Sequence, residues 1–233
     1  MSPTRALLLI ADIGGYTRFM RLHRMSLAHA QENTARLLEA VIDAAPRLTL
    51  VDIEGDAAFF YVPAPADEEV ARSIAAVAVA IHRSFHFEQE RMNALSVCRC
   101  DACHQTGLLT VKAVAHLGDV VEQTIRGKTS IAGPDVILVH RMLKNSVPVG
   151  EYVLMTDPVY RLSAEALPAA TPLDEELEGL GTERLWYVDM GAIAEPPPPA
   201  PRPGGLARLR YAAGLTGRSL PYYAGLRRSR ARA

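Results

Sequence analysis

Two acidic residues follow apolar segments of the chain and could bind a cation together. Asp12 comes directly after the apolar run 6–11, and Asp56 follows the turn dipeptide Glu54-Gly55. Burying a carboxylate beside apolar residues is costly unless a positive group meets it. Carboxylate oxygens select hard divalent cations such as Mg²⁺ or Mn²⁺. If the two strands are neighbours, Asp12 and Asp56 would face each other at one sheet edge. The alternative is that both acids cap a turn or a helix.

The residues after Asp12 could bind phosphate. Gly14 and Gly15, followed by Tyr16 and Thr17, predict a tight turn that opens a helix. Backbone N–H groups at such a turn point toward anions. A divalent cation carrying a nucleoside triphosphate would suit the two carboxylates and this turn together.

A second group of reactive side chains lies between positions 98 and 104. Cys98, Cys100 and Cys103 are followed by His104, and Cys₃His sets bind structural zinc. Only one residue separates Cys98 from Cys100, and Cys103 adjoins His104, so one ion would need an awkward turn. The fourth ligand could therefore come from a partner chain or from another histidine of this chain: His82, His86 or His116.

The cysteines also allow other interpretations. They could be reduced free thiols on a loop, or redox-active thiols. Neither His29 nor His23 lies in a motif, and the sequence assigns them no role. A satisfied structural histidine is the favoured interpretation of His116.

Hydrophobic periodicity predicts the elements that position these residues. A strand ends at Asp12, and the helical stretch 17–45 breaks near Ser26, a plausible N-cap. Further predicted helices cover 67–90, 131–144 after an initial loop, and 157–162. Predicted hairpins pair 48–53 with 57–62, 108–117 with 120–125, and 173–180 with 184–188. The sequence predicts an α+β domain with a mixed, largely antiparallel sheet.

Four motifs in order resemble the catalytic domains of class III adenylate and guanylate cyclases. The segment 11–17, A-D-I-G-G-Y-T, resembles their first metal motif, and 54–57, E-G-D-A, resembles the second. His116–Val121 resembles their H-x-G-x-V-V hairpin, and Gly133–Arg141 resembles their G-x-x-V-N-x-A-x-R helix. The likeness covers roughly 6–189 and is closest to an uncharacterised cyclase-like family of bacterial proteins.

This resemblance implies the ferredoxin-like cyclase fold, with helices mainly on one face of the sheet. It implies that Asp12, Asp56 and the backbone carbonyl of Ile13 bind Mg²⁺ or Mn²⁺. Arg141 would stabilise charge on the α-phosphate in the transition state. Family members form catalytic sites across a dimer interface, so the resemblance also implies a homodimer.

Several positions depart from the family pattern. Ile137 replaces the asparagine that orients the ribose, and Asp52 replaces the base-selecting lysine of adenylate cyclases. The base-selecting aspartate falls near Ser130, and the phosphate-binding lysine near Glu178. We therefore predict a cyclase-like protein that binds metal and nucleoside triphosphate, with weak cyclase activity or none. The alternatives are an active cyclase with non-standard base recognition and a zinc-stabilised regulatory module.

Charge and composition divide the chain. It has 233 residues and a net charge of −1, but residues from 191 onward carry eight arginines and one acid. The sequence predicts a cyclase-homology domain at 1–192, a proline-rich linker at 193–204 and a basic tail at 205–233 that is disordered or weakly helical. The tail could contact nucleic acid or an anionic membrane, although a solubilising role is favoured.

With no targeting segment visible, we expect a cytoplasmic protein.

Overall fold

A computed structural model describes residues 2–22, 27–63, 67–96, 98, 100–167, 170–193, 198–200 and 203–223. The predicted helix break near Ser26 lies outside these residues. Within them, no helix has the length and apolar character needed to cross a lipid bilayer.

A mixed, mostly antiparallel sheet organises the molecule. Seven strands lie in the order β2-β3-β1-β4-β6-β8-β7, and β5 pairs with β4. The β4–β6 pair is parallel, and the other pairs are antiparallel. The strands are β1 Thr4–Gly14, β2 Thr49–Glu54, β3 Ala57–Pro63, β4 Thr110–Ile125, β5 Lys128–Ala132, β6 Tyr152–Thr156, β7 Thr171–Leu177 and β8 Gly181–Asp189.

Helices cover both faces of this sheet unequally. The helices are α1 Tyr16–Leu22, α2 Leu27–Asp43, α3 Asp67–Leu95, α4 Asp101–Gln105, α5 Pro134–Arg141, α6 Asp157–Ser163, α7 Met190–Ile193 and α8 Gly205–Tyr223. Helices α2, α3 and α6 contribute to one apolar cluster, whereas α5 packs into the other. The prediction of an α+β domain with a mixed, mostly antiparallel sheet is confirmed.

The central strand β1 is apolar on both sides, which explains its unbroken hydrophobic run. Leu7 and Leu9 join the cluster under α2 and α3, while Leu8 and Ile10 join the cluster under α5. Successive side chains of a strand point to opposite faces. A strand covered on both faces therefore reads as a continuous apolar segment.

The predicted hairpin between 117 and 120 is wrong, because β4 continues without a turn to Ile125. A Cβ atom at Gly118 would lie 2.4 Å from the carboxyl carbon of Asp135, so this glycine permits a close approach. The chain instead reverses at Arg126 and Gly127, whose φ angles are 50° and 79°. Such positive φ angles are typical of a tight turn.

Of the two alternatives for the tail, disorder or a helix, the described part takes the second and forms α8. Tyr211 is buried against the apolar cluster that includes α2 and α3. The Arg36 guanidinium lies 4.8 Å from the centre of the Tyr211 ring, and Arg208 Nε donates to the Ala94 carbonyl at 3.1 Å. One large aromatic side chain with a cation over its ring gives this segment a docking contact that mean composition does not reveal.

Candidate metal and nucleotide site

Adjacent strands bring Asp12 and Asp56 to the same end of the sheet. Strands β1 and β3 are antiparallel, with Asp12 opposite Ala57. The Ile13 N–H donates to the Asp56 backbone carbonyl at 3.2 Å. Both acidic residues are half-buried. The structure therefore brings together the two carboxylates that the sequence singled out.

The two carboxylates repel each other through a partly desolvated environment. Burial, followed by the charge of Asp12, raises the pKa of Asp56 to about 6. Burial and the nearby Asp56 carboxylate also raise the pKa of the Tyr16 hydroxyl. Like charges disfavour ionisation, and an added cation reverses that penalty. This end of the sheet is thus electrostatically suited to a cation.

Lys112 already supplies one positive charge to this site. Its Nζ atom lies 3.3 Å from Asp12 Oδ2 and 3.4 Å from the Leu143 carbonyl oxygen. The sequence analysis did not select Lys112, although the residue stands opposite Asp12 in the β1–β4 pairing. A polar residue inside the apolar segment 109–117 was the available signal. With both carboxylates ionised, the three side chains together carry one net negative charge.

The turn after β1 has the geometry that its glycines predict. Gly15 has a φ of 83°, and its carbonyl accepts the Phe19 N–H at 2.9 Å in the first turn of α1. Gly14 packs so closely on Thr110 that a Cβ atom would lie 2.2 Å from the threonine hydroxyl. Gly15 and Thr17 are exposed, and Tyr16 is half-buried. The backbone of this turn is therefore accessible beside the acidic pair.

A cavity adjoins the turn. Its lining residues are Gly15, Arg18, Phe19, Gln105, Leu108 and Leu109. It lies between α1 and the short segment that follows the cysteines. The cavity places one exposed arginine, Arg18, near the predicted phosphate-binding residues.

Arg141 ends α5 and forms an ion pair. Its Nη1 atom lies 2.6 Å from Glu178 Oε2, and both side chains are partly exposed. Glu178 stands where the family resemblance places a phosphate-binding lysine, so this substitution supplies the partner of the arginine. Ile137, at the predicted ribose position, is 54% exposed. It lines a shallow groove with Arg141 and Lys144.

A histidine connects α5 to the hairpin of the second acid. His140 Nε2 lies 3.1 Å from both carboxylate oxygens of Glu54, and its Nδ1 lies 2.7 Å from the Val136 carbonyl oxygen. The His140 ring also packs edge-on against Phe59. These contacts fix α5 relative to the β2–β3 hairpin.

The two predicted base-contacting residues lie on strands that contact each other, β2 and β5. The Asp52 carboxylate on β2 accepts the Ile53 N–H at 2.9 Å. Ser130 on β5 pairs with Gln123 of β4. Neither arrangement identifies a base.

The cysteine group contains a histidine that the sequence did not predict. His29 Nδ1 lies 3.4 Å from Cys100 Sγ, 3.6 Å from Cys98 Sγ and 3.8 Å from Cys103 Sγ. All four ligand atoms lie within 4.8 Å of one another. His104 is exposed and lies outside this group, so the histidine beside the three thiols is His29 and not His104 as predicted.

Local helices explain this arrangement. The predicted cysteine-rich loop contains α4 and a 3₁₀ turn, Thr106–Leu108. Cys103 and His104 are neighbours on α4, so Cys103 faces inward while His104 reaches solvent. Asn33 of α2 donates to the Thr106 hydroxyl at 2.8 Å and holds the segment against α2.

The buried thiol is neutral without a cation. Burial and the neighbouring thiols of Cys100 and Cys98 raise the pKa of Cys103 to about 12. A Cys₃His set with ligand atoms this close could hold a zinc ion, which would displace the thiol protons.

The other histidines considered as zinc ligands have different partners. His82 and His86 contact Glu151. His116 is buried, with Nδ1 3.0 Å from the Thr156 hydroxyl and Nε2 3.1 Å from Asp135 Oδ1. Burial lowers the pKa of His116 despite the Asp135 carboxylate.

Sequence comparison identifies the family. Residues 34–152 match the family described as "Protein of unknown function (DUF2652)". The chain belongs to DUF2652. It is also 38% identical over 196 residues to the "Uncharacterized protein Rv2561/Rv2562" of Mycobacterium tuberculosis, covering 84% of this chain and 91% of that protein.

Solved cyclase domains share the fold. The guanylyl cyclase Cya2 matches with a TM-score of 0.66 at 15% identity, over 80% of this chain and 92% of that one. The adenylyl cyclase CyaB of P. aeruginosa matches with a TM-score of 0.60 at 15% identity, over 81% and 95%. The guanylate cyclase domain of RhGC from Catenaria anguillulae, solved with GTP, has a TM-score of 0.56 at 15% identity, over 81% and 98%. This DUF2652 chain therefore has the class III cyclase fold.

Proposed function

We propose that this DUF2652 protein binds a nucleoside triphosphate with Mg²⁺ or Mn²⁺ and cyclises it weakly or not at all. The observation that carries the proposal is the pairing of two half-buried carboxylates, Asp12 and Asp56, beside an accessible glycine turn. Asp12, Asp56 and the Ile13 carbonyl would hold the cation. The backbone of Gly14 to Thr17 would meet the phosphates.

Lys112 favours one cation over two at this site. Its ammonium group lies 3.3 Å from Asp12 and neutralises part of the negative charge that would otherwise attract a second divalent ion. A single cation is sufficient to bind a triphosphate. The two-cation chemistry that the resemblance implies needs one ion to activate the ribose hydroxyl and another to hold the phosphates.

The remaining positions support binding more than turnover. Ile137 cannot hydrogen-bond a ribose, and each lost hydrogen bond costs about 1–3 kcal/mol. The Arg141–Glu178 pair is a smaller obstacle, because an exposed ion pair is worth about 0–1 kcal/mol. Arg141 can therefore exchange Glu178 for a phosphate, whereas Ile137 has no such alternative. Asp52 and Ser130 would contact the base in a non-standard way, which keeps an active cyclase as the second candidate.

The proposal includes a homodimer. A guanylyl cyclase domain with this fold has been solved as a non-canonical dimer. Ile137 on α5 and Ile53 on β2 are exposed apolar side chains near the proposed site. Light scattering of the purified chain tests this part, and a monomer at micromolar concentration with nucleotide present would contradict it.

One assay separates the two candidate functions. The purified chain is incubated with Mn²⁺ and each of the four nucleoside triphosphates, and cyclic monophosphate and pyrophosphate are measured. We expect Mn²⁺-dependent nucleotide binding that Asp56→Ala abolishes, with little or no product for any base. Efficient product formation that Asp56→Ala abolishes would establish the active cyclase. Absence of nucleotide binding to the wild-type chain would reject both.

The second part of the proposal is a structural zinc ion held by His29, Cys98, Cys100 and Cys103. It is supported by the closeness of the four ligand atoms. The zinc would tie α2 to α4 and so fix one wall of the cavity beside the glycine turn. Cys98, Cys100 and Cys103 form no disulfide, which agrees with a cytoplasmic location, and we also propose that location. The basic tail at 205–233 could contact nucleic acid or an anionic membrane, but this role is not favoured.

A further inference from the structure

A second group of potential ligands lies between α3 and the sheet. His82 and His86 are four residues apart on α3, and their ring centres lie 4.5 Å apart. Glu151, just before β6, meets both rings. Its Oε2 lies 3.1 Å from His82 Nε2, and its Oε1 lies 2.8 Å from His86 Nε2. The ligand atoms all lie within 4.8 Å of one another.

Gln89 determines which ring nitrogen of His86 carries the proton. The Gln89 amide nitrogen donates to the carbonyl oxygens of Thr106 and Leu109, at 3.0 and 2.8 Å. Its amide oxygen must then face His86 Nδ1, 2.7 Å away, and can only accept. His86 therefore carries a proton on Nδ1. The Nε2 atom, which faces Glu151, is free to be a lone-pair ligand.

Glu151 and His82 can also present their ligand atoms to an ion. The Val111 N–H donates to Glu151 Oε1 at 3.2 Å and orients the carboxylate. His82 is buried, and its Nδ1 has no hydrogen-bond partner among the described residues. Since no acceptor or donor in the described part of the chain fixes that atom, the ring can carry its proton there and present Nε2 to an ion. Polar partners that orient ligands from behind, as Gln89 does for His86 and the Val111 N–H does for Glu151, are typical of metal sites.

We propose that His82 Nε2, His86 Nε2 and the Glu151 carboxylate bind a divalent transition-metal ion such as Zn²⁺ or Co²⁺. Two nitrogen or oxygen ligands at about 2.0–2.1 Å from a tetrahedral ion lie about 3.3 Å apart. The two short contacts, 2.8 and 3.1 Å, use different oxygens of the Glu151 carboxylate. One ligand atom from each of the three residues lies within 4.8 Å of the others, so no separation needs to change by more than about 1.5 Å to reach this spacing. Two imidazoles and one carboxylate also form a recognised zinc ligand set.

This site is distinct from the two described above. It uses neither a thiolate nor the Asp12–Asp56 pair, and its imidazoles favour zinc, copper, iron or nickel over magnesium. His86 and Glu151 are partly exposed, so an ion can enter from that side. Three protein ligands leave a fourth position for water or a small anion.

Cobalt binding tests the proposal. The full chain is stripped of metal, held in excess Mg²⁺ to occupy the acidic pair, and dialysed against Co²⁺. Metal analysis counts the ions per chain, while thiolate-to-cobalt charge-transfer absorption reports only the cysteine group. We expect His86→Gln to bind one ion fewer than the wild type, with unchanged charge-transfer absorption. His104→Gln, which changes an exposed histidine outside the group, should bind as many ions as the wild type.

Equal Co²⁺ counts for the wild type and His86→Gln would overturn the proposal and leave a metal-free histidine–carboxylate ion pair. If His86→Gln does not fold, ¹⁵N-histidine spectra of the wild-type chain decide. Zinc should then shift the ring nitrogens of His82 and His86 in addition to that of His29. A response from His29 alone would reject the site. Nucleotide binding does not enter either measurement, so the proposed function can fail independently.

Discussion

A residue that opposes folding is a candidate for binding, and Asp56 in the acidic pair has this property. Burial, and then the nearby charge of Asp12, make ionisation of the Asp56 carboxyl unfavourable. Lys112 relieves part of this repulsion and lowers the pKa of Asp56, but the value still lies near 6. A capping acid would instead gain from its contacts and have a lowered pKa. The stability of variants therefore distinguishes a ligand site from a cap.

Asp56→Asn should stabilise the metal-free protein at pH 7–8 and abolish Mn²⁺ binding to the pair. The folded-state pKa of about 6 lies above the ordinary value of 3.8, so the fold binds this proton more readily than the unfolded chain. The resulting cost is present above pH 6 and disappears below about pH 4. After allowance for solvent screening we expect a gain of roughly 1 kcal/mol, or about 2–4 °C in Tm.

Thermal unfolding at several pH values measures this effect. The difference between Asp56→Asn and wild type should shrink as the pH falls from 7 to 4. Glu54→Gln is a matched control on the same hairpin, because Glu54 contacts His140 and its change should bring no gain. A destabilised Asp56→Asn would indicate that the carboxylate is a structural cap. Mn²⁺ should also bind wild type more weakly as the pH falls through 6, since the proton competes for Asp56.

At the scale of the elements, the sequence predicted the strands and turns that are determined by residues close together in the chain. The apolar run before Asp12 and the glycines after it locate β1 and the turn, because each feature is local. His29 was missed because its partners lie about 70 residues away, and helical periodicity does not show which helix face meets which loop. The predicted turn at Gly118 failed for a related reason. A glycine can serve close packing as well as a reversal, and only the position of Asp135 decides between them.

Variants of the proposed zinc ligands test whether an ion joins α2 to α4. His29→Gln should lose the zinc that copurifies with wild type, because three thiolates alone do not complete the tetrahedral set. His104→Gln should retain one zinc per chain, since that side chain is exposed on α4. Metal analysis of both variants measures this directly. Equal zinc content in the two variants would reject His29 as the ligand.

If zinc holds α4 against α2, loss of the ion should also loosen α4. We expect faster amide exchange in α4 and the following 3₁₀ turn of His29→Gln, with little change in β1 and β3. Asn33 and Gln89 still bond to Thr106, so the segment should loosen without unfolding entirely. Exchange that is unchanged across α4 would mean that these side chains, and not zinc, hold the segment.

At the scale of the whole molecule, the chain joins an acidic body to a basic C-terminal segment. The residues from 191 onward have a formal charge of +7, which leaves −8 on the rest. Low apolar content predicted a disordered or weakly helical segment without a core of its own, and α8 instead docks on the body through one aromatic residue. Tyr211 is 8% exposed, and its burial raises the pKa of the hydroxyl to about 12, so the side chain stays neutral. Docking therefore depends on packing and on the Arg36 contact more than on net charge.

Tyr211→Ala should release α8 from the body. Truncating a buried aromatic side chain costs about 3–5 kcal/mol in a core that cannot rearrange. Here the helix can detach as a unit, so the loss is limited to the free energy of docking and the melting temperature of the body should change little. Limited proteolysis should then cut within 205–223, where the wild type resists. Tyr211→Phe keeps the ring under Arg36 and should remain resistant. Equal protection of α8 in Tyr211→Ala and wild type would show that other contacts, such as Arg208 with Ala94, hold the helix.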